Sequence, residues 1–143
     1  MSFRLGPIII IEDDQDDQDI LREVFNSLNV PNELKFFSLC DDAYNYLKTI
    51  TDKPFIIFSD INLPKMSGAQ LKKRINENVA IRRKSIPFVF LTTTAAHEAV
   101  LDAYESLAQG FFTKPNDIES LKRMIQMILD YWKISRHPNP NLI

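Results

Sequence analysis

The chain of 143 residues carries 17 basic and 19 acidic side chains for a net charge of −2, and 45% of it is hydrophobic. That length suits one domain able to bury a core, and the near-neutral balance gives no sign of a nucleic-acid or membrane-surface protein. One cysteine, Cys40, excludes an internal disulfide framework and fits a reducing compartment. No signal-like apolar core opens the chain and no apolar run reaches membrane length, so a cytoplasmic protein is expected.

Ile8 to Ile11 is a β-branched run read as a first buried strand. It stops at Glu12, Asp13, Asp14, Gln15, Asp16 and Asp17. Asp14 or Asp16 suits the cap of the following helix, whose N-terminus favours negative charge. The remaining carboxylates repel one another unless a cation sits among them, and such oxygen-rich clusters suit Mg²⁺. Glu12 and Asp13 come directly off the strand and are the metal candidates; Asp16, Asp17 and Asp19 read as a solvated helix start. The helix carries Ile20, Leu21, Val24, Phe25 and Leu28 at helical spacing and ends at Asn29 and Pro31.

Leu34 to Leu39 reads as a second strand, then Asp41 or Asp42 as the cap of a helix through Ala43, Tyr46, Leu47 and Ile50. Pro54 to Ser59 is a short apolar run fit for the middle of a parallel sheet, and it ends abruptly at Asp60. An isolated Asp there would be a solvated loop residue. In an open parallel sheet, however, the carboxyl ends of strands are where ligands gather. Ser67 opens a third helix through Leu71 and Ile75. Residues 76–85, with Arg82, Arg83 and Lys84, read as a polar connection with a solvated basic face. Pro87 to Leu91 is a fourth strand ending in Thr92, Thr93 and Thr94, and a fourth helix follows over Ala95 to Leu107. Gly110 to Thr113 is a fifth strand ending at Lys114-Pro115, and the last helix runs from Asp117 to about Ile134.

Five strands alternating with five helices predict an α/β fold, a flavodoxin-like doubly wound parallel sheet of order 2-1-3-4-5. That order gathers Glu12, Asp13, Asp60, Thr92 and Lys114 at one edge. The acids suit a divalent cation; cation, hydroxyl and ammonium together suit a phosphoryl group, with Asp60 as nucleophile.

With these residues in order, and with Asn62, Pro64 and Gly68 after the third strand, the chain resembles a response-regulator receiver domain of two-component signalling from about Leu5 to Trp132. The resemblance implies a domain over 5–133 with a flexible tail over 134–143. It implies a stand-alone regulator rather than an enzyme, whose Asp60 accepts a phosphoryl group from a histidine kinase or histidine phosphotransfer protein. Asp13, Asp60 and the Asn62 carbonyl would ligate Mg²⁺, with Glu12 acting through a water. Thr92 and Lys114 would bind phosphoryl oxygens, Lys114-Pro115 would be a cis peptide, and Phe111 would be the aromatic switch. The output would be altered binding to an unknown downstream protein or onward relay, with no nucleic-acid or membrane partner. The alternative is a degenerate receiver that binds partners without phosphorylation.

Some positions depart from that family's pattern. Thr93 replaces a smaller residue, Leu107 stands where a helix-ending Gly is usual, and Phe111 lacks a tyrosine hydroxyl. Asn62 and Thr94 occupy positions that tune hydrolysis. Asn62 also lacks the proton-transfer ability that a phosphatase of the haloacid-dehalogenase type needs there, and acids after the first strand would repel the phosphate of a flavin mononucleotide. Finally, the last helix has one apolar stripe at Ile118, Leu121, Ile125, Ile128 and Trp132 and a second at Met124, Met127, Tyr131 and Ile134. The fourth helix likewise pairs Val100, Ala103 and Leu107 with His97, Leu101 and Tyr104. The surplus stripe, with Leu101, Tyr104, Met124, Met127 and Tyr131, reads as a partner face, in its simplest form a symmetric dimer.

Overall fold

The computed structural model describes residues 6–93 and 96–136. Its elements alternate as expected: β1 (Ile8–Ile11), α1 (Gln15–Ser27), β2 (Leu34–Phe37), α2 (Cys40–Thr49), β3 (Ile56–Ser59), α3 (Gly68–Glu77), α4 (Val79–Arg82), β4 (Phe88–Thr92), α5 (His97–Glu105), β5 (Gly110–Thr113) and α6 (Ile118–Ile134). The five strands form one parallel sheet of order β2-β1-β3-β4-β5, a flavodoxin-like doubly wound fold.

Alternate residues of the central strands point to opposite faces, and helices cover both. Ile8, Ile10, Ile56, Phe58, Val89 and Leu91 pack against α1 and α6. Ile9, Ile11, Ile57, Phe88 and Phe90 pack against α2, α3, α4 and α5. The four β1 isoleucines are at most 1% exposed. Burying each contributes about 1.5–3 kcal/mol, which is why an unbroken isoleucine run forms a strand here.

Six helices form among the described residues rather than five. The extra one is the four-residue α4, inside the stretch read as a polar connection. Asn78 produces it by closing α3 and capping α4, accepting from the Ile81 N–H at 3.1 Å, while Ile81 is buried at 1% exposure. Helix α2 also departs from expectation: Leu39 is its N-cap with no side-chain bond, and Asp41 and Asp42 lie within the first turn. There they still meet the positive helix end. The Cys40 thiol is buried beneath that end and faces the Met66 carbonyl at 3.4 Å. Burial pushes it up to about 11, so it stays protonated and unreactive at neutral pH. Thr94 and residues 137–143 of the expected tail lie outside the described residues.

Helix α5 turns Ala103 inward and exposes Leu101 and Tyr104; Leu107, grouped with Ala103 in one of the two unranked stripes, is 67% exposed. The reason is how the helix ends. Leu107 has φ 68°, the left-handed conformation that a C-terminal Gly usually supplies. Its N–H donates to the Tyr104 carbonyl at 3.0 Å and the Ala108 N–H to that of Ala103 at 3.3 Å, closing a Schellman turn. A leucine so placed carries backbone strain. Leu107→Gly should therefore raise the unfolding free energy by about 1 kcal/mol, measured by urea denaturation, with no change in helix content.

Candidate functional site

Parallel pairing continues one residue beyond the strands and sets out the site. The Glu12 N–H donates to the Phe37 carbonyl at 2.9 Å, the Asp60 N–H to that of Ile11 at 2.9 Å, and the Lys114 N–H to that of Thr92 at 2.8 Å. Glu12, Asp60 and Lys114 are thus each the first residue past a strand, Glu12 and Asp60 on neighbouring strands and Lys114 on the far side of β4.

Their side chains converge. Carboxylate oxygens of Glu12, Asp13 and Asp60 lie within 4.8 Å of one another, a group able to hold a metal. The Thr92 hydroxyl, fully buried, donates to Asp60 Oδ1 at 2.6 Å. The exposed Asn62 donates its N–H to the same oxygen at 3.2 Å. Lys114 Nζ lies 2.5 Å from Glu12 Oε1, 3.3 Å from Asp17 Oδ2 and 4.0 Å from Asp60 Oδ2.

Burial is the largest influence on Lys114 and lowers it, but the hydrogen bond to Glu12 and the charges of Glu12, Asp17 and Asp60 outweigh it. The ammonium ends above its ordinary value and is a cation at neutral pH. Burial raises Glu12, against the pull of Lys114. Asp13 is exposed and Asp60 half-buried, so both stay open to a ligand from solvent. Three acids around one lysine leave negative charge in excess, the chemistry that favours a hard divalent cation.

Two participants escaped the sequence reading. Asp17 does more than start a helix: one turn into α1, its carboxylate reaches Lys114. Its place in the first turn of the helix that directly follows the Glu12-Asp13 strand end was the available signal. Buried Gln18 donates to the Glu12 carbonyl at 2.5 Å and to Ser38 Oγ at 3.0 Å, tying β1 to the end of β2. Nothing in the sequence marks it, since a glutamine on a helix normally faces water. Asp14 is the helix cap, accepting from the Asp17 N–H at 3.0 Å.

Gly68 opens α3, its N–H donating to the Ile61 carbonyl at 2.9 Å. A Cβ there would run into the Asp60 carbonyl and the Phe90 ring. Only glycine lets the helix approach so closely. Phe111 is half-buried outside the acidic group, its ring centroid 6.2 Å from that of Phe90. The expected cis bond does not form: there is no cis peptide among the described residues, so Lys114-Pro115 is trans. Trans is the intrinsically favoured isomer even before proline, and Lys114 reaches both Thr92 and Glu12 with it. Leu101, Tyr104, Met127 and Tyr131 lie exposed on α5 and α6, away from the acids, while Met124 is half-buried.

A five-stranded parallel sheet with acids, a hydroxyl and a buried lysine at its carboxyl edge is the architecture of a signalling receiver. The chain belongs to the response regulator receiver domain family, which matches residues 8–126. It is 28% identical over 130 residues to response regulator Rcp1 of Synechocystis sp., covering 87% of each chain. It is similar to the crystal structure of the Mn²⁺-bound form of Rcp1, with TM-score 0.76, covering 89% of this chain and 94% of that one. It is also similar to the crystal structure of a response regulator receiver domain from Rhodospirillum rubrum, at 27% identity and TM-score 0.79, covering 93% and 97%. No helix among the described residues is long and apolar enough to cross a membrane.

The Lys114–Glu12 pair yields a test of the site's electrostatics. Lys114→Met strands a carboxylate whose side chain is 3% exposed. It should cost about 3–5 kcal/mol in urea unfolding with EDTA at pH 7. Because Glu12 is raised in the folded state, its protonated form favours folding and that contribution is lost as pH rises. The deficit against wild type should narrow as pH falls toward the ordinary glutamate range.

Proposed function

We propose that this chain is a stand-alone phosphoacceptor receiver in which Asp60 takes a phosphoryl group from a histidine kinase or histidine phosphotransfer protein. The observation that carries this is the set of partners around Asp60: Thr92 at 2.6 Å, Lys114 at 4.0 Å, and carboxylates of Glu12 and Asp13 close by. An Asp60 oxygen would attack phosphorus as the phosphorus–nitrogen bond of phosphohistidine breaks, leaving an aspartyl phosphate and imidazole. Asp13 and Asp60, with the Asn62 carbonyl, would hold Mg²⁺, and Glu12 would act through a water. When bound, Mg²⁺ supplies positive charge against the phosphoryl oxygens. Lys114 adds a cation, and the Thr92 hydroxyl would leave Asp60 Oδ1 for a phosphoryl oxygen. The donor set fits a hard cation, all of it oxygen. The related Rcp1 has a Mn²⁺-bound form, which agrees with a divalent site.

Thr92 lies on β4, beside the strand that carries half-buried Phe111. Its inward movement would make room for that ring and repack α5, β5 and α6, a population shift favoured by contacts to the phosphoryl group. Incubated with Mg²⁺ and a small phosphodonor, the protein should gain one base-labile phosphoryl group, read by intact mass. Asp60→Asn should abolish it, and Asp13→Asn should slow it about tenfold or more through weaker metal binding. Thr92→Ala should still label, while its Phe111 ring resonances respond less to beryllofluoride. Labelling that persists in Asp60→Asn would eliminate the site assignment, and a wild type that takes no label would favour the phosphorylation-independent binding module.

The output face would be α5-β5-α6. Between β5 and α6 runs a cavity of about 520 Å³ lined by Phe112, Met124, Met127, Tyr131 and Trp132. Met127 and Tyr131 are 71% and 63% exposed. Exposed Met and Tyr on an apolar groove suit an adaptable protein contact, in its simplest form a symmetric homodimer. The other output is onward relay to a histidine. Replacing Met127 and Tyr131 with Gln should leave Asp60 labelling intact and lower the phosphorylation-dependent mass in light scattering. A mass that does not change with phosphorylation in wild type would discard the dimer.

A further inference from the structure

At the opposite end of the sheet from the acids, α3 buries a lysine that has no counter-ion. Lys72 is 7% exposed, and no carboxylate among the described residues lies within ion-pair distance of it. Its Nζ donates a single hydrogen bond, to Asn76 Oδ1 at 2.6 Å, and sits 6.0 Å from the Phe88 ring centroid. Burial alone holds it below the ordinary lysine range, with no charged group acting on it. Asn76 is committed elsewhere too, since its Nδ2 donates to the Ser106 carbonyl at 2.9 Å. An ammonium has three donors, so two here lack a protein acceptor.

Lys72 lines a cavity of about 310 Å³ between α3, α4 and the end of α5. Its walls mix apolar side chains, Phe88 and Leu107 among them, with polar ones from Asn76, Arg82, Ser85 and Gln109. Arg82 donates to the Asn76 carbonyl at 3.3 Å, which holds its guanidinium beside the cavity. Gln109 Oε1 accepts from the Phe88 N–H at 2.8 Å, so its amide NH₂ is left to donate.

A buried charge without a partner opposes folding, and two cations over an apolar floor have one complement. We infer that this cavity binds a small organic anion, a carboxylate or phosphate monoester head on Lys72 and Arg82 with a short apolar body against Phe88 and Leu107. The volume falls at the small end of ligand pockets. Desolvation strengthens the attraction of Lys72 for the head, and Gln109 offers a further donor. None of these residues belongs to the acidic site, so this inference stands or falls apart from Asp60 phosphorylation.

The test titrates the full chain, in EDTA, with sodium hexanoate, with butyl phosphate and with hexanol, reading Tm and amide NMR shifts. One or both anions should raise Tm and shift Phe88 and Gln109 amides, while hexanol binds at least about tenfold more weakly. Whichever anion acts identifies the head. Lys72→Met, which keeps the length without the charge, should have a higher Tm than wild type without ligand and lose the anion response. Arg82→Gln, at an exposed position, should weaken anion binding about tenfold while folding normally. Neither anion shifting Tm or these amides beyond sodium chloride of equal ionic strength would overturn the inference. So would anions binding Lys72→Met as well as they bind wild type. Either result would leave Lys72 as a lysine satisfied by Asn76, Phe88 and water.

Discussion

Everything chemical in this protein depends on the in-register ending of its parallel strands. The ladder hydrogen bonds that join β1 to β2, β3 to β1 and β5 to β4 run one residue past the strands, through Glu12, Asp60 and Lys114. A slip of one residue would turn each of these side chains to the other face of the sheet. The ends of the buried runs oppose the slip, because it would draw Glu12 or Asp60 into the place of a buried strand residue. Core packing and site geometry are therefore a single constraint.

The cost of that constraint is a crowd of like charges at one edge. Lys114 offsets part of it from inside, and Asp17 and Gln18 extend the arrangement outward. Asp17 shares the lysine's charge, and Gln18 fixes the backbone of Glu12 to the neighbouring strand. What remains is excess negative charge that faces solvent through Asp13. A receiver handles two charged species at this place, a cation and a phosphoryl group, and the excess suits the first while Lys114 and Thr92 suit the second.

Much of this was legible in the sequence because it rests on local signals. Ile8 to Ile11 and Phe88 to Leu91 read as buried strands, and Asp60 and Lys114 stand where such runs stop. Ser67 announced a helix start that the structure completes with a reciprocal Gln70 bond. What was not legible rests on contacts between distant segments. Asp17 looked solvated because its partner lies 97 residues away. Helix α4 hid among polar residues because one buried isoleucine is too short a pattern to register. The two stripes of α5 could not be ranked until the Schellman turn at Leu107 set how the helix leaves the sheet.

Gly68 has the plainest consequence outside the chemistry. It offers no group to a metal or a phosphoryl group, yet its missing side chain is the space occupied by the Asp60 carbonyl. Any larger residue must displace either the start of α3 or the backbone of Asp60. Asp60 and the helix behind it can consequently drift in evolution only together. A methyl carbon added at position 68 would disturb the Asp60 backbone without itself taking part in any chemistry.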